Sequence, residues 1–291
     1  MEIQKLQSIF AKHPGVKALA AALGKFQASS GGVIQLSGLS GSSAPLVFAA
    51  LAARAPETLA QPFLFVLDDE EEAGYFYQDL VQILGEQQVL AFPSSYKRAI
   101  KFGQRNAGQE ILRTEVLSRL TASDNPFIVT YPQALCELVV TKQTLSEQTL
   151  TLGVRERVDI MFVQETLLAF GFQRTDYVYE PGQFAVRGSI IDVYSFSCEL
   201  PYRIDFFGDE VDSIRTFEVH SQLSRDRQQS ITLIHNSQFT IHNLLRESFL
   251  KFLPENTILV VKDLTSLCAM VEHIVEQGFS NQAVVEQQAV T

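Results

Sequence analysis

The chain has 291 residues, of which 46% are hydrophobic and 19% are charged. This composition is typical of a globular protein and excludes a chain that is disordered throughout. The formal net charge of −10 argues against a general nucleic-acid-binding protein, because such proteins normally present a basic field, and leaves room only for a local basic patch. No apolar run approaches the ~20 residues that a membrane-spanning helix needs.

The cysteines and the first residues indicate the compartment. Cys136, Cys198 and Cys268 lie far apart and show no metal-ligand spacing, so we expect no metal site and three buried, apolar cysteines. An odd and sparse cysteine count fits a reducing compartment. The start of the chain is amphipathic and lacks a signal-peptide core. We therefore expect a cytoplasmic protein with no membrane partner.

The first 148 residues alternate helix and strand patterns. The predicted helices are 3–12, 15–26, 44–55, 70–84, 107–120 and 132–139. The predicted strands are 33–36, 63–67, 89–92 and 127–131. Strands separated by helices indicate right-handed crossovers and a mainly parallel sheet with helices on both faces.

The pattern changes near Thr149, where one helix is followed by strand after strand. The predicted strands are 149–152, 177–179, 184–194, 202–207 and 213–219, and the predicted helix is 158–170. Short turns between strands are typical of antiparallel hairpins, so residues 149–234 form a separate α+β domain. Residues 235–291 return to the α/β pattern with a helix at 244–252, a strand at 257–261, a helix at 264–276 and a flexible C-terminal tail. The fold class is therefore α/β, with one parallel-sheet domain interrupted by a smaller hairpin domain.

The segment from Gly38 to Pro45 lies where a phosphate-binding loop would lie, between the predicted strand 33–36 and a helix. Gly38 keeps the first glycine of the pattern G-x-x-x-x-G-K-[ST], and Gly41 adds a second flexible position. The lysine that would neutralise phosphate is replaced by Ala44, and the hydroxyl that would hold magnesium is replaced by Pro45. We interpret the loop as a degenerate, non-functional nucleotide site on a P-loop-NTPase-like, helicase-type domain.

The strand at 257–261 leads to the same conclusion. A nucleotide site would need a carboxylate just beyond such a strand to coordinate magnesium, but the next residue is Lys262. Asp263 is better explained as the cap of the helix that follows. Glu70, Glu71 and Glu72 are interpreted as a solvated first helical turn, which the helix dipole favours. We therefore expect no catalytic residues, no ATP and no magnesium in this chain.

Two blocks of the hairpin domain carry a specific resemblance. They are GQFAVRG at 182–188 and IDFFGDEV at 204–211. They resemble the corresponding blocks of the excision-repair helicase UvrB and of the bacterial transcription-repair coupling factor (Mfd). The lead-in ELPYR at 199–203 resembles the coupling factor more closely. In that family the N-terminal region follows the UvrB domain plan and has lost the ATP-binding motifs, which agrees with the loop at Gly38–Pro45.

The resemblance implies a binding role for the hairpin domain, which in the coupling factor binds UvrA. The contact residues of the family fall on Arg187, Arg203 and Phe207, and Arg174 matches an arginine that UvrB also uses. Ala185 is a departure, because UvrB has a further arginine at this position. RNA polymerase and double-stranded DNA are partners of the full-length family protein through downstream domains that this chain lacks.

The alternation of residues along the strands supports the same surface independently. In the strand 202–207, Ile204 and Phe206 should face the core while Arg203 and Phe207 face outward. By the same rule Phe184 and Val186 face inward, whereas Ala185 and Arg187 face outward. An exposed aromatic residue beside arginines has the composition of an interface hot spot. The residues alone leave an alternative open, in which Phe207 covers a turn and the arginines pair with Asp205, Asp209 or Glu210.

Together with these patterns, the resemblance implies a non-catalytic UvrB-homology module of a transcription-repair coupling factor that recruits UvrA to stalled RNA polymerase for nucleotide excision repair. One alternative is a divergent ATPase or helicase of the UvrB type. A second is a residual DNA-binding module, which would bind duplex DNA with a steep salt dependence.

Overall fold

The structure, a computed structural model, describes residues 3–26, 32–54, 61–95, 107–121, 126–147, 149–196, 198, 200–234 and 246–288. The last residue of the predicted helix 44–55, the first two residues of the predicted helix 244–252, and Glu199 of the lead-in lie outside this part of the chain. The described residues divide into two compact units. The first lies within 1–106, 122–138 and 248–291, and the second within 107–121 and 139–247.

The helices of the described residues are α1 (Ile3–Lys12), α2 (Pro14–Phe26), α3 (Ser43–Arg54), α4 (Glu70–Leu84), α5 (Ala107–Thr121), α6 (Pro132–Cys136), α7 (Lys142–Glu147), α8 (Ile160–Ala169), α9 (Phe249–Phe252) and α10 (Leu264–Gln288). The strands are β1 (Phe63–Val66), β2 (Val89–Ala91), β3 (Phe127–Thr130), β4 (Leu138–Val140), β5 (Thr149–Gly153), β6 (Gln173–Arg174), β7 (Gln183–Arg187), β8 (Ile190–Val193), β9 (Tyr202–Phe207), β10 (Glu210–Phe217), β11 (Ser224–Gln228), β12 (Ser230–Ile234), β13 (Arg246–Ser248) and β14 (Ile258–Val261).

A four-stranded parallel sheet forms the centre of the first unit, with the strand order β14-β1-β3-β2. Every residue of β1 and β3 is buried, as expected for parallel strands that are covered on both faces. Phenylalanines fill the core around them: the rings of Phe48 and Phe65 meet edge to face at 4.9 Å, and Phe92 stacks on Phe249 at 3.8 Å. The prediction of an α/β fold with a parallel sheet is confirmed.

The predicted strand at 33–36 is wrong. This segment belongs to no described sheet, and Val33 is 93% exposed. A strand forms only where a neighbouring strand accepts its backbone hydrogen bonds, and four apolar residues in a row do not show whether such an edge is available. A P-loop-like unit would have a strand directly before the loop. The P-loop-like character of this unit therefore stays a prediction.

Three further elements of this part of the chain differ from the prediction. The helix predicted at 132–139 ends at Cys136, and β4 follows it and pairs with β13. The helix predicted at 244–252 is the single turn α9, which is preceded by β13. The tail predicted from residue 278 onward is helical as far as Gln288, because α10 continues through it.

Among the cysteines, Cys136 and Cys198 are only half-buried and Cys268 is exposed, so the prediction of three buried cysteines is also wrong.

A six-stranded sheet with the order β11-β10-β9-β8-β7-β6 dominates the second unit. Its neighbours are antiparallel except β6 and β7, which run parallel. Helix α8 packs Val163 and Leu167 into an apolar core with Phe184, Ile204 and other inward-facing residues of the sheet. The strand predicted at 177–179 is wrong, since the partner of β7 on this side is β6. The single strand predicted at 184–194 is also wrong, because a turn at Gly188 divides it into β7 and β8. The hairpin predicted around Gly208 is confirmed by the antiparallel pairing of β9 and β10.

Two tight turns connect the strands that carry the predicted site. Gly188 follows β7 with a φ of 62°, and Gly208 follows β9 with a φ of 63°. Both angles lie in the left-handed region, which glycine adopts without the steric cost that a Cβ atom imposes. The short turns place the end of β7 beside the start of β8, and the end of β9 beside the start of β10.

Within the described part of the chain, no helix is long and apolar enough to cross a membrane.

Candidate protein-interaction surface

Strand β9 places its side chains alternately on the two faces of the sheet. Ile204 and Phe206 are buried in the core with α8, whereas Arg203 and Asp205 are half-buried on the opposite face, which we call the outer face. Phe207 ends the strand and is 85% exposed. The predicted orientation of this strand is therefore confirmed, and most of an aromatic ring is left in contact with solvent.

A carboxylate on β8 joins two of the predicted arginines. Asp192 is only 1% exposed and lies opposite Arg203 in the register of β8 and β9. Arg203 donates from Nε to Oδ1 at 2.7 Å and from Nη2 to Oδ2 at 2.9 Å, which is the forked geometry of a bidentate pair. Nη2 of Arg187 donates to the same Oδ2 atom. One buried carboxylate thus orients both guanidinium groups.

Arg203 makes two more contacts that limit its freedom. Its Nη1 atom donates to the backbone oxygen of Gln222 at 3.1 Å, and its guanidinium carbon lies 4.7 Å from the centre of the Phe217 ring. Its side chain is 19% exposed. The hydrogen bonds to Asp192 raise the pKa of Arg203, and the desolvation that comes with burial opposes this rise. Arg203 is therefore a charged and ordered part of the sheet face.

Arg187 is more accessible than Arg203. Its side chain is 36% exposed, and its guanidinium carbon lies 5.2 Å from the centre of the Tyr177 ring. Tyr177 is itself exposed, so the pair of aromatic ring and guanidinium lies at the surface. Only Nη2 of Arg187 is used in the hydrogen bond to Asp192. The remaining donors of this fork make no hydrogen bond within the described residues.

Arg174 and Ala185 complete the set of predicted positions. Arg174 is exposed on the edge strand β6 opposite Phe184 of β7, so the register gives it the face of the core residue and not the outer face. Ala185 points to the outer face as predicted, but it is buried there and not exposed, because it packs with Val178 and Phe217 in a small second apolar cluster. The sequence pattern did not reveal this cluster, because Phe217 lies far from Ala185 in the chain.

The alternative in which Phe207 covers a turn and the arginines pair with nearby acidic residues does not match the contacts. Phe207 covers no turn, since most of its ring is exposed. The arginines pair with Asp192, and within the described residues no hydrogen bond or ion pair joins Arg187 or Arg203 to Asp205, Asp209 or Glu210. Sequence analysis missed Asp192. Alternation along the single predicted strand 184–194 gives Asp192 the face of Phe184 and Val186, and only the turn at Gly188 brings it to the face of the arginines.

The degenerate loop keeps a turn and a helix start. Gly38 and Gly41 both have a positive φ, of 79° and 52°, and the backbone N–H of Ser40 donates to Oγ of Ser43 at 2.7 Å. Helix α3 then begins, with Ala44 half-buried and Pro45 buried in its first turn. Proline is tolerated there because the first N–H groups of a helix have no partner within it. Neither residue offers a charge or a hydroxyl group.

A lysine lies among carboxylates at the ends of the parallel strands. Lys262 directly follows β14, and its ammonium group donates to Oδ2 of Asp68 at 3.1 Å and to Oε1 of Glu72. Asp68 follows β1, and the two strands run parallel, so both residues lie at the same edge of the sheet. The hydrogen bond to Glu72 raises the pKa of Lys262, slight burial opposes this, and Asp68 adds to the rise. Asp263 caps α10 as predicted, because its Oδ1 atom accepts from the N–H of Ser266 at 2.9 Å.

Comparison with known proteins finds a family match for the domain that carries the outer face. Residues 150–239 match the family model of the UvrB interaction domain. Transcription-repair-coupling factors match a larger part of the chain. The protein from Bacillus subtilis is 28% identical over 198 residues, which are 68% of this chain and 16% of that protein. The chain is similar to the transcription-repair-coupling factors over this range.

Two further relatives support this relationship. The transcription-repair-coupling factor of Escherichia coli is 26% identical over 203 residues, or 69% of this chain and 17% of that protein. The one from Haemophilus influenzae is 30% identical over 158 residues, or 54% of this chain and 14% of that protein. The chain thus spans less than a fifth of the length of these relatives. The resemblance predicted from the two sequence blocks is confirmed.

All four predicted contact residues lie within the matched range: Arg174, Arg187, Arg203 and Phe207. The structure places Arg187 and Arg203 on one carboxylate, Phe207 at the end of β9, and Arg174 at the edge of the same sheet. Their role as contacts for a partner stays a prediction.

Proposed function

We propose that this chain is a non-catalytic module of a transcription-repair coupling factor and that it recruits UvrA through the outer face of its six-stranded sheet. The observation that carries the proposal is Phe207, which is 85% exposed within the range that matches the UvrB interaction domain. A single exposed apolar residue is common on protein surfaces. A phenylalanine at a strand end, on a sheet face that also presents arginines, is the arrangement of an interface hot spot.

The arginines would fix the orientation of the bound partner and contribute to specificity. Arg187 has donors left over after its bond to Asp192, and Arg174 is exposed at the edge of the sheet. A guanidinium that is already held in one orientation loses less conformational entropy when it binds a carboxylate. Arg203 stabilises the outer face itself, because most of its hydrogen-bond donors bind Asp192 and the Gln222 backbone within the domain. We therefore expect Phe207 and Arg187 to be direct contacts on the outer face, Arg174 to contact the partner at the edge of the sheet, and Arg203 to act partly by holding the surface in place.

We also propose that the first unit is a P-loop-like scaffold without nucleotide chemistry. Ala44 and Pro45 cannot supply the charge and the hydroxyl ligand that such a site needs. The cation of Lys262 lies between Asp68 and Glu72, where an active site would need free carboxylates for magnesium. An ATPase of the UvrB type is the rival function, and ATP hydrolysis by the isolated chain would support it.

The resemblance to the coupling factors also suggests a wider role for the recruitment step. A transcription-repair-coupling factor would displace stalled RNA polymerase and move along DNA through domains outside this chain, and this module would bring UvrA to the same place. The chain itself would then need neither polymerase nor duplex DNA for its own contact. Steeply salt-dependent binding of the isolated chain to duplex DNA would instead favour the DNA-binding alternative.

The test is binding of this chain to UvrA from the same organism, measured by calorimetry, for wild type and for Phe207→Ala, Arg187→Gln and Arg174→Gln. Each hot-spot contact should cost about 2 kcal/mol of binding free energy when it is removed. Glu180→Gln serves as a control, because it changes one exposed charge of the same domain outside the predicted set. Lack of binding by the wild-type chain at micromolar concentration would contradict the proposal, whereas binding that survives all three substitutions would show that the site lies elsewhere.

A further inference from the structure

The register of the sheet aligns several charged residues in one row across the outer face. Asp192 on β8 pairs with Arg203 on β9, Arg203 pairs with Arg215 on β10, and Arg215 pairs with Arg227 on β11. Side chains of directly opposed residues point to the same face of a sheet. The row therefore continues from the predicted site towards the edge strand β11 and contains three successive arginines.

Three arginines in successive positions have an energetic cost. Like charges that lie directly opposite each other destabilise a pair of strands. Asp192 neutralises the near end of the row, where it already binds Arg187 and Arg203. Neither Arg215 nor Arg227 makes an ion pair within the described residues, whereas the neighbouring Arg225 pairs with Glu218 at 3.5 Å. The far end of the row is thus left with two uncompensated positive charges.

Arg215 also has a donor without a hydrogen-bond partner. The residue is half-buried, its Nη2 atom donates to Oγ of Ser213 at 3.1 Å, and its Nε atom is buried without an acceptor in the described part of the chain. A buried donor without an acceptor costs about 1–3 kcal/mol, so such groups call for an explanation. Arg227 is exposed on the next strand. A carboxylate-bearing partner would compensate the charges of both arginines.

We propose that the UvrA-binding surface extends beyond β9 across β10 and β11, and that Arg215 and Arg227 bind carboxylates of an acidic patch on UvrA. This inference rests on the proposed function, because it assigns further contacts to the same surface. The extended surface begins at the exposed ring of Phe207, follows the arginine row and ends on the edge strand β11. Its two additional contact residues, Arg215 and Arg227, were not indicated by the resemblance to the coupling factors.

The chemistry of the surface favours an acidic protein over the phosphate backbone of a nucleic acid. The chain between Lys142 and Lys251 contains many arginines and no lysine, and arginine is the cation that protein interfaces favour. The net charge of the whole chain is −10, which opposes a long polyanion. Asp205 lies on the outer face itself, among the arginines. Such a mixed surface fits a partner with discrete carboxylates.

The experiment compares the Kd for UvrA of wild type, Arg215→Gln, Arg227→Gln and the double variant. Each single variant should bind about tenfold more weakly, which is the loss of one charged contact, and the double variant more weakly still. Arg215→Lys and Arg227→Lys keep the charge and should recover most of the binding. The dependence of Kd on salt concentration should flatten in the double variant, since fewer charges are screened. Lys17→Gln on α2 changes the net charge equally and lies in the other unit, so it should leave Kd unchanged.

Each contrary result is distinguishable. If the arginine variants bind like wild type while Phe207→Ala loses binding, the proposed function stands and this extension is wrong. If Lys17→Gln weakens binding as much as Arg227→Gln, the effect is that of overall charge, and the extension is wrong. If wild type binds a duplex oligonucleotide and the variants lose that binding, the row serves nucleic acid and the extension is again wrong. If wild type does not bind UvrA at all, the proposed function and this inference both fail.

Discussion

Arg203 binds Asp192 across strands β8 and β9 through two hydrogen bonds, of 2.7 Å from Nε and 2.9 Å from Nη2. Because Arg187 donates to the same carboxylate, Asp192 forms the centre of a triad on the outer face. The carboxylate is almost completely buried, so the two guanidinium groups replace the water that would otherwise solvate it. This triad couples the stability of the sheet to the shape of the proposed binding surface.

Replacing Asp192 by asparagine should therefore destabilise the domain. The substitution removes the negative charge and leaves two guanidinium groups without their shared partner, which for a buried ion pair costs about 3 kcal/mol. Urea unfolding followed by circular dichroism measures this change in the free energy of unfolding. Asp205→Asn is the matched control, because Asp205 is half-buried and its hydrogen bond with the Ser189 hydroxyl is long, at 3.4 Å. If the Asp192→Asn variant is as stable as wild type, the triad contributes nothing to folding.

Phe207 and Phe206 are neighbours with opposite environments, and their substitutions should separate binding from folding. Phe206→Ala creates a cavity in the core against α8 and should cost about 3 kcal/mol of unfolding free energy. Phe207→Ala removes an exposed ring and should change it by less than about 0.5 kcal/mol. Both are measured by urea unfolding of the isolated chain. A large destabilisation by Phe207→Ala would mean that the ring serves the fold, and its role as a contact would lose its main support.

Gly182 is a position where only glycine fits. Its φ is 87°, and a Cβ atom added there would lie 2.3 Å from Cζ of the Phe196 ring. Gly182→Ala should lower the free energy of unfolding by about 3 kcal/mol, because backbone strain and a steric clash with an aromatic ring combine. Gly188→Ala is the control: its φ is 62° and the space around it is open, so strain alone should cost about 1 kcal/mol. Thermal unfolding of the two variants should rank them in this order, and the reverse order would contradict the packing of Phe196.

The ion cluster of Lys262 should make a small contribution to stability that depends on pH. Its pKa is raised in the folded chain, so the stabilisation is present below the unfolded pKa of about 10.4 and is lost as the pH rises through the folded value. Half of the Lys262 side chain is exposed, and solvent screening keeps the contribution below about 1 kcal/mol. Lys262→Met should therefore lower Tm slightly at neutral pH. The difference from wild type should vanish at strongly alkaline pH.

The control for this prediction is Lys251→Met, which changes an exposed lysine that makes no ion pair within the described residues. It should leave Tm unchanged across the same pH range. A Tm difference for Lys262→Met that persists when the ammonium group of wild type is deprotonated would show that packing of the lysine stem, and not its charge, stabilises this edge of the sheet.

Local patterns in the sequence predicted much of the fold. The predicted bounds of α1, α4 and β9 agree with the structure, because amphipathic period, capping residues and strict alternation are all local properties. Predictions failed where a partner decides the outcome. The apolar run at 33–36 found no strand to pair with, and residues 246–248 form a strand because β4 lies beside them. Backbone pairing between distant segments has no local signature.

The sequence by itself determined the composition of the site: arginines and Phe207 on one side of alternating strands, and a nucleotide loop without its charge and hydroxyl groups. The tertiary structure decided which of these residues lie together. Asp192, Arg203, Arg215 and Arg227 come from four strands, and only the sheet register aligns them. Ala185 and Phe207 both occupy outward positions of their strands, but the sheet buries Ala185 and leaves Phe207 exposed. The physical reason is that charge compensation and burial depend on distances through space, which a linear pattern does not contain.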